Sequence, residues 1–130
     1  MSCRILIVED NPANQLLAVA VLERDGFEVR IAESGPDALR AIGESRPDLV
    51  LMDIQLPEMD GLSLTRILKA DPATATIPVV AMSAHAMVTD RDQAIASGCA
   101  GFIAKPIDTR VFADQLRGFL QQPAAAESAS

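Results

Sequence analysis

The sequence has almost no aromatic residues: it contains no Trp and no Tyr, and its aromatic share is 3%. A core without large rings has to be aliphatic, built from the Ile, Leu, Val, Ala and Met that dominate the 49% of hydrophobic residues. The same scarcity disfavours a flavin-binding domain, because little is available to stack on a flavin and no glycine-rich phosphate loop follows the first apolar run. A flavodoxin-like cofactor domain is therefore a minor alternative, and a yellow chromophore that copurifies with the protein would support it.

Nitrogen and sulfur ligands for a metal are also few. The two cysteines, Cys3 and Cys99, lack metal-ligand spacing and the chain has one His, so a zinc site is not predicted. Free thiols indicate a reducing compartment. The sequence shows no signal-peptide pattern and no apolar run of transmembrane length. We therefore expect a cytoplasmic protein that does not associate with a membrane.

Positive charge is in deficit. The 11 Lys and Arg residues face 18 Asp and Glu residues, which gives a formal net charge of −7. Nucleic-acid binding needs clustered Lys and Arg to displace counterions, and binding to an anionic membrane surface needs the same residues. The composition therefore predicts neither partner, and it suits a protein that gathers carboxylates around a cation.

The apolar pattern predicts an α/β fold. Four short apolar runs without alternation, at residues 5–8, 49–52, 79–82 and 102–104, are typical of strands covered on both faces of a parallel sheet. A weaker run at 27–31 predicts an edge strand. Helices are predicted between and after these runs at 11–25, 36–44, 62–70, 89–97 and 108–121. Strand and helix alternate five times, which predicts an open parallel sheet with helices on both faces.

Local signals refine these helices. Ser34 with Asp37, and Thr89 with Asp92, form candidate capping boxes, and Asp108 is a candidate N-cap. The first helix presents apolar residues at Leu16, Leu17, Ala20 and Val21, and the last is expected to turn Val111, Phe112, Leu116, Phe119 and Leu120 inward. The length predicts one domain over residues 1–122, followed by a disordered tail at 123–130.

Polar residues stand at the ends of four predicted strands. Glu9 and Asp10 follow the first run, Asp53 the run at 49–52, Ser83 the run at 79–82, and Lys105 the last one. Because the carboxyl ends of parallel strands share one edge, where open α/β sheets bind ligands, these side chains are expected to converge. Three acids, one hydroxyl and one cation would then share one site.

Three carboxylates in one cleft repel each other, and a hard divalent cation relieves that repulsion. Mg²⁺ prefers one or two carboxylates, waters and a phosphate oxygen to a full protein cage. The cation can hold a phosphoryl group in line with an attacking oxygen, and a carboxylate can be that nucleophile. Lys105 can pair with the phosphoryl charge and Ser83 can donate to a phosphoryl oxygen.

Each of these residues also has an ordinary explanation. Glu9 and Asp10 can cap a helix, Asp53 can be a turn residue, Ser83 a strand-end hydroxyl and Lys105 a solvated charge. Their shared position at the ends of parallel strands favours the functional interpretation of the whole set.

Four stretches, in this order and at these spacings, resemble the receiver domain of bacterial two-component response regulators. The resemblance covers residues 4 to about 120 and includes single-domain receivers of the DivK type and the receivers of hybrid histidine kinases. The stretches are Val8-Glu9-Asp10-Asn11, Met52-Asp53-Ile54-Gln55-Leu56-Pro57-Glu58-Met59-Asp60-Gly61, Met82-Ser83-Ala84-His85-Ala86-Met87 and Gly101-Phe102-Ile103-Ala104-Lys105-Pro106-Ile107.

The resemblance implies a flavodoxin-like (βα)5 sandwich with strand order 2-1-3-4-5. It implies that Asp53 accepts the phosphoryl group and that Mg²⁺ or Mn²⁺ binds Glu9, Asp10, Asp53 and the backbone carbonyl of Gln55. Glu9 stands where many members have Asp, a common variant.

The resemblance assigns roles to further positions. Ser83 and Lys105 take the hydroxyl and lysine positions of the family, and Phe102 the position of its switch aromatic. Gln55 and His85 match positions that tune hydrolysis of the phosphoryl group, and the Lys105–Pro106 bond is commonly cis in the family.

The implied partners are a histidine kinase or phosphotransfer protein as donor, and a downstream protein that binds the face formed by the fourth helix, fifth strand and fifth helix. The chain is expected to be a monomer or weak dimer, and not an enzyme beyond self-catalysed phosphotransfer and autodephosphorylation. Alternatives are the receiver module of a hybrid histidine kinase and an unphosphorylated scaffold. A small phosphatase with an Asp nucleophile is disfavoured, because such enzymes commonly carry a second Asp where this chain has Gln55.

Overall fold

Five strands and five helices alternate along the chain in a computed structural model of the protein. The structure describes residues 3–56, 59–83, 88–105 and 107–120, and for residues 88–90 it describes the backbone alone. The strands are β1 (Arg4–Val8), β2 (Glu28–Ala32), β3 (Leu49–Asp53), β4 (Val79–Ser83) and β5 (Gly101–Ala104). The helices are α1 (Pro12–Arg24), α2 (Gly35–Glu44), α3 (Gly61–Ala70), α4 (Val88–Ala96) and α5 (Phe112–Leu120).

The strands form one parallel sheet in the order β2-β1-β3-β4-β5. The predicted α/β class, the flavodoxin-like topology and the edge position of β2 are confirmed. The chain order departs from the spatial order once, where β1 pairs with β2 on one side and with β3 on the other. A ligand site of an open α/β sheet is expected at this switch point, beside the carboxyl ends of β1 and β3.

Two apolar cores cover the two faces of the sheet, which explains why its strands are continuously apolar. Alternate residues of each strand point to opposite faces. In β3, Val50 and Met52 pack with α2, α3 and α4, whereas Leu49 and Leu51 pack with α1 and α5. All four are completely buried.

Helices α1 and α5 differ in detail from the predictions. The buried residues of α1 are Ala18, Val21 and Leu22, whereas Leu16 and Leu17 are 72% and 41% exposed. An apolar pattern does not decide which face of a short helix turns inward, because several apolar stripes fit one helical period.

The last helix begins later than predicted. Asp108 caps a turn instead of α5, with its Oδ1 accepting from the Arg110 N–H at 3.0 Å, and α5 starts at Phe112. Val111, predicted to point inward, is 43% exposed because it precedes the helix, whereas Phe112 and Leu116 are buried.

The predicted capping pair of α2 is only half formed. Ser34 Oγ accepts from the Asp37 N–H at 3.2 Å, as expected. In a capping box the Asp37 side chain would accept in turn from the N–H of Ser34. Here it accepts from the N–H of Glu33 at 3.1 Å, one residue earlier in the chain.

The first turn of α3 packs tightly against the end of β3. The Gly61 N–H donates to the Ile54 carbonyl at 2.8 Å, and Asp60 caps α3 by accepting from the Ser63 N–H at 2.8 Å. A Cβ at position 61 would lie 2.5 Å from the Asp53 carbonyl oxygen and 2.9 Å from the Ile54 Cα. Glycine is therefore required for α3 to begin this close to the strand.

Some predictions fall on residues outside those that the structure describes. They concern His85, the Lys105–Pro106 bond and the tail at 123–130, and the cap predicted at Thr89 depends on a side chain that is not described either. Cys3 and Cys99 are free thiols, as expected. In the described part of the chain, none of the helices has the length and apolar character needed to cross a bilayer.

Candidate functional site

Three carboxylates meet at the switch point of the sheet. Glu9 follows the last residue of β1, Asp10 comes next, and Asp53 is the last residue of β3. One carboxylate oxygen from each residue lies within 4.8 Å of those of the other two. Parallel pairing of Val8 with Met52 puts the ends of β1 and β3 side by side, which brings these acids together. The convergence expected from the strand pattern is present.

Lys105 bridges two of these acids. Its Nζ donates to Glu9 Oε1 and to Asp53 Oδ2, each at 2.7 Å. The side chains of Glu9, Asp53 and Lys105 are 1%, 7% and 15% exposed, so both ion pairs lie away from bulk solvent. Lys105 reaches the acids from the end of β5, and its N–H extends the ladder to the Ser83 carbonyl at 2.9 Å. Ion pairs of this kind depend on complete pairing, because an isolated buried charge is costly.

Backbone groups hold the second oxygen of each buried acid. The Gln55 N–H donates to Asp53 Oδ1 at 2.9 Å, and the Asn11 N–H donates to Glu9 Oε2 at 3.1 Å. Both donors lie two residues beyond their acceptor, in the segments that follow β3 and β1. Each buried carboxylate thus has one oxygen on Lys105 and the other on its own loop.

The ionisation of this cluster is shifted by burial and by pairing. Burial raises the pKa of Glu9 above its ordinary value, despite the hydrogen bonds from Lys105 and Asn11 that lower it, and the charge of Asp53 raises it further. Burial alone would lower the pKa of Lys105, but its hydrogen bonds to Asp53 and Glu9 outweigh that effect and raise it. The lysine is therefore a permanent cation at neutral pH.

The remaining predicted site residues that the structure describes lie on β4, on β5 and just after β3. Ser83 is buried as the last residue of β4, and its strand neighbour Met82 is paired with Asp53. Phe102 is half-buried in β5 and packs against the α2–α3–α4 core. Gln55 contributes its N–H to Asp53, while the role predicted for its carbonyl stays a prediction.

The donor set fits a hard divalent cation. Three carboxylates and one ammonium leave a formal charge of −2 at the site, which one dication would cancel. All three ligand groups are oxygens, and the exposure of Asp10 leaves room for water in a coordination shell. Glu9, Asp10 and Asp53 are therefore the residues that would hold such an ion.

Sequence reasoning missed two residues at this site, Asn11 and Gln15. Asn11 caps α1 through its side chain, which accepts from the N–H groups of Ala13 and Asn14, while its own N–H holds Glu9. Gln15, one turn into α1, donates from Nε2 to the Glu9 carbonyl at 2.6 Å. The cap could have been predicted from Asn11 preceding Pro12, whereas the Gln15 contact depends on a rotamer that the sequence does not specify.

Comparisons with known proteins agree with this description. The sequence matches the response regulator receiver domain family over residues 5–117. It is 41% identical over 120 residues to the polar-differentiation response regulator DivK of Brucella ovis, covering 92% of this chain and 98% of that protein. The identity to DivK of Brucella anthropi is 41% over 116 residues, covering 89% and 94%.

Solved structures give the same result. The receiver domain of a sensor histidine kinase from Pseudomonas aeruginosa, which has a magnesium ion coordinated in its active-site cleft, matches with a TM-score of 0.86 at 33% identity, over 94% of this chain and 100% of that chain. The signal receiver domain of a histidine kinase from Syntrophus aciditrophicus matches with a TM-score of 0.84 at 32% identity, over 95% and 96%.

Proposed function

The chain belongs to the response regulator receiver domain family, and from that premise we propose that it is a phosphorylation-controlled signalling switch whose phosphoacceptor is Asp53. The observation that carries the proposal is the meeting of Glu9, Asp10 and Asp53 within 4.8 Å, with Lys105 bonded to two of them. The donor is a histidine kinase or a phosphotransfer protein, as is general for receivers.

The Asp53 carboxylate is the nucleophile in this proposal. One of its oxygens attacks the phosphorus of a phosphohistidine, the phosphorus–nitrogen bond breaks, and the electron pair of that bond stays on the imidazole. Water later attacks the same phosphorus, which releases orthophosphate and restores the carboxylate. Before transfer, Lys105 and the Gln55 N–H each hold one oxygen of Asp53, which fixes the plane of the carboxylate. Such fixed positioning is the main contribution a protein makes to phosphoryl transfer.

Mg²⁺, or Mn²⁺, would be held by Glu9, Asp10, Asp53 and the Gln55 carbonyl. When bound, the ion neutralises charge that accumulates on the phosphoryl oxygens. Lys105 supplies a second positive charge, and its ammonium is free to exchange an Asp53 oxygen for a phosphoryl oxygen by rotating its long side chain. The Ser83 hydroxyl donates a hydrogen bond to another phosphoryl oxygen.

Phosphorylation changes the charge at Asp53, because a phosphoryl group carries about −1.5 to −2 at neutral pH. Ser83 and Lys105 lie at the ends of β4 and β5, so their movement is transmitted to Phe102 in β5. The face formed by α4, β5 and α5 then changes shape, and a downstream protein binds this face. A complete shift from 1:99 to 99:1 would need about 5.5 kcal/mol of differential stabilisation.

Two arrangements of this switch are compatible with the comparisons. The 41% identity to DivK supports a regulator of the DivK type, whose output is a separate protein. The receivers of histidine kinases at 32–33% identity support a module of a hybrid kinase instead. Receivers of both kinds would use the same acid cluster.

Incubation with Mg²⁺ and acetyl phosphate, followed by intact mass spectrometry, tests the proposal. We expect a gain of one phosphoryl group in the wild type and in Glu44→Gln, an exposed carboxylate on α2 that serves as the matched control. We expect no gain in Asp53→Asn.

Four results would contradict the proposal. Absence of any gain in the wild type, with acetyl phosphate and with phosphoramidate, would favour an unphosphorylated scaffold, as would unchanged partner binding in Asp53→Asn. Steady release of phosphate from phosphomonoesters with Mg²⁺ would indicate a hydrolase. A gain that persists in Asp53→Asn would place the phosphoacceptor elsewhere.

A further inference from the structure

Gln15 reaches from α1 back to the end of β1, and neither the family resemblance nor the sequence pattern assigns it a role. Its Nε2 donates to the Glu9 carbonyl oxygen at 2.6 Å, across six residues of chain. Its own N–H bonds to the Asn11 carbonyl at 3.0 Å, so the backbone from which the side chain extends is fixed by the first turn of α1. The side chain is half-buried, which limits its alternatives in solvent.

The Gln15 bond completes a set of contacts that holds Glu9 at four points. The Glu9 N–H extends the β1–β2 ladder to the Ala32 carbonyl at 2.9 Å, and its two carboxylate oxygens bond to Lys105 and to the Asn11 N–H. The strand β1 ends at Val8, and the carbonyl of Glu9 accepts its hydrogen bond from the Gln15 side chain.

The carbonyl of Glu9 belongs to the same planar peptide unit as the Asp10 N–H. A bond that fixes this carbonyl therefore fixes the rotation of the whole Glu9–Asp10 peptide and the direction in which the Asp10 side chain leaves the backbone. Asp10 is exposed, so packing does little to orient it, whereas Glu9 and Asp53 are buried and bonded on both oxygens. The orientation of the exposed acid relative to the two buried ones thus depends on the peptide that Gln15 holds.

We propose that Gln15 is a positioning residue that holds the Glu9–Asp10 peptide in the orientation that brings the three carboxylates together, and that it thereby sets the affinity of the site for a divalent cation. The inference rests on the cation site of the proposed function and adds to it a determinant from α1. Gln15 touches neither the ion nor the phosphoryl group. It acts through the backbone that carries Asp10.

The test compares Gln15→Met with the wild type. Met has nearly the length and helix propensity of Gln but no donor. Gln115→Met, at an exposed position of α5, is the matched control for the substitution itself, and Gln15→Ala is a second variant that removes the same bond without adding a thioether. Far-UV circular dichroism establishes that each variant is folded.

The first readout is metal-free. NMR relaxation gives the order parameter of the Asp10 amide, which lies in the peptide that Gln15 holds. Rigid backbone has a value of about 0.85, and we expect a clear drop below the wild-type value at Asp10 in both Gln15 variants and none in Gln115→Met.

The second readout is a Mg²⁺ titration followed through the backbone amides of Asn11 and Gln55, which bond to the carboxylates of Glu9 and Asp53. Because one net hydrogen bond is worth about 0.5–1.5 kcal/mol, we expect both Gln15 variants to bind Mg²⁺ about twofold to twelvefold more weakly. A purely structural role would lower the free energy of unfolding and leave the Kd of the folded protein unchanged.

The outcomes separate the two proposals. A folded Gln15→Met or Gln15→Ala with a wild-type Kd for Mg²⁺ and a wild-type order parameter at Asp10 would overturn the role of Gln15 and leave the proposed function intact. A wild-type protein that binds no Mg²⁺ would remove the cation site of the proposed function and the affinity claim with it. Weaker binding in both variants and not in Gln115→Met supports the role of Gln15.

Discussion

Replacing Lys105 with Met should expose how strongly the two buried acids depend on one cation. Lys105→Met keeps an unbranched side chain of similar length at a position that is only 15% exposed, so packing changes little. It removes both 2.7 Å hydrogen bonds and leaves Glu9 and Asp53 facing each other without a counterion.

The structure sets the size of the effect. Each hydrogen bond to a charged group is worth about 1.5–3 kcal/mol, and breaking a buried ion pair by removing one partner costs about 3–5 kcal/mol in total. We therefore expect the free energy of unfolding to fall by about 3–5 kcal/mol in the absence of metal, a large share of the ~5–15 kcal/mol typical of a domain. Part of the loss should return with Mg²⁺, because a ligand at 100 times its Kd stabilises the folded state by about 2.7 kcal/mol.

Urea unfolding in EDTA, followed by far-UV circular dichroism, measures this effect in a double-mutant cycle with Glu9→Gln. With one buried carboxylate neutral, Lys105→Met should cost about 2 kcal/mol less than it does in the wild type, because only Asp53 then loses its partner. Equal costs in the two backgrounds would refute the claim that Lys105 is shared between the acids. A cost below about 1 kcal/mol in the wild type would show that the pairs behave as solvent-exposed ones.

Two further predictions concern the surroundings of the site. Asp60→Ala removes the N-cap of α3, and it should lower the free energy of unfolding by about 1 kcal/mol at neutral pH, as measured in urea. Because the Ser63 N–H lowers the pKa of Asp60 from 3.8, this loss should persist above pH 3.8 and shrink as the pH falls through the lowered pKa. A loss that does not depend on pH would contradict the prediction. Burial raises the pKa of the Cys99 thiol, so iodoacetamide should label Cys99 far more slowly than Cys3 in the native protein, and the two at similar rates in urea. Peptide mapping measures both rates, and equal rates in the native protein would contradict the prediction.

Strand-end residues were the part of the site that the sequence could predict. Four apolar runs without alternation identified a parallel sheet, and such a sheet brings the ends of its strands to one edge whatever its loops do. The meeting of Glu9, Asp10, Asp53 and Lys105 followed from that topology alone. The assignment of the nucleophile among the acids came from the family resemblance, because position at a strand end does not distinguish one carboxylate from another.

The details that were missed depend on side-chain and loop geometry. The late start of α5 follows from an Asx turn at Asp108 that competes with a helix N-cap for the same side chain. The inward face of α1 was not fixed by an apolar pattern that also includes the exposed Leu16 and Leu17. Gln15 was missed because a half-buried amide at the start of a helix has many rotamers, and only the folded backbone selects the one that reaches Glu9.

Gly61 makes the end of β3, where Asp53 lies, unusually intolerant of variation. The nearest atoms to any added side chain are the carbonyl oxygen of Asp53, at 2.5 Å, the Cε of Met52, at 2.8 Å, and the Cα of Ile54, at 2.9 Å. The end of the Met52 side chain could move, but the two backbone atoms cannot. A library that randomises position 61 and selects for a working switch should therefore return glycine almost alone. Any redesign of the segment after β3 therefore has to keep Gly61, because the end of the strand leaves no room for a side chain there.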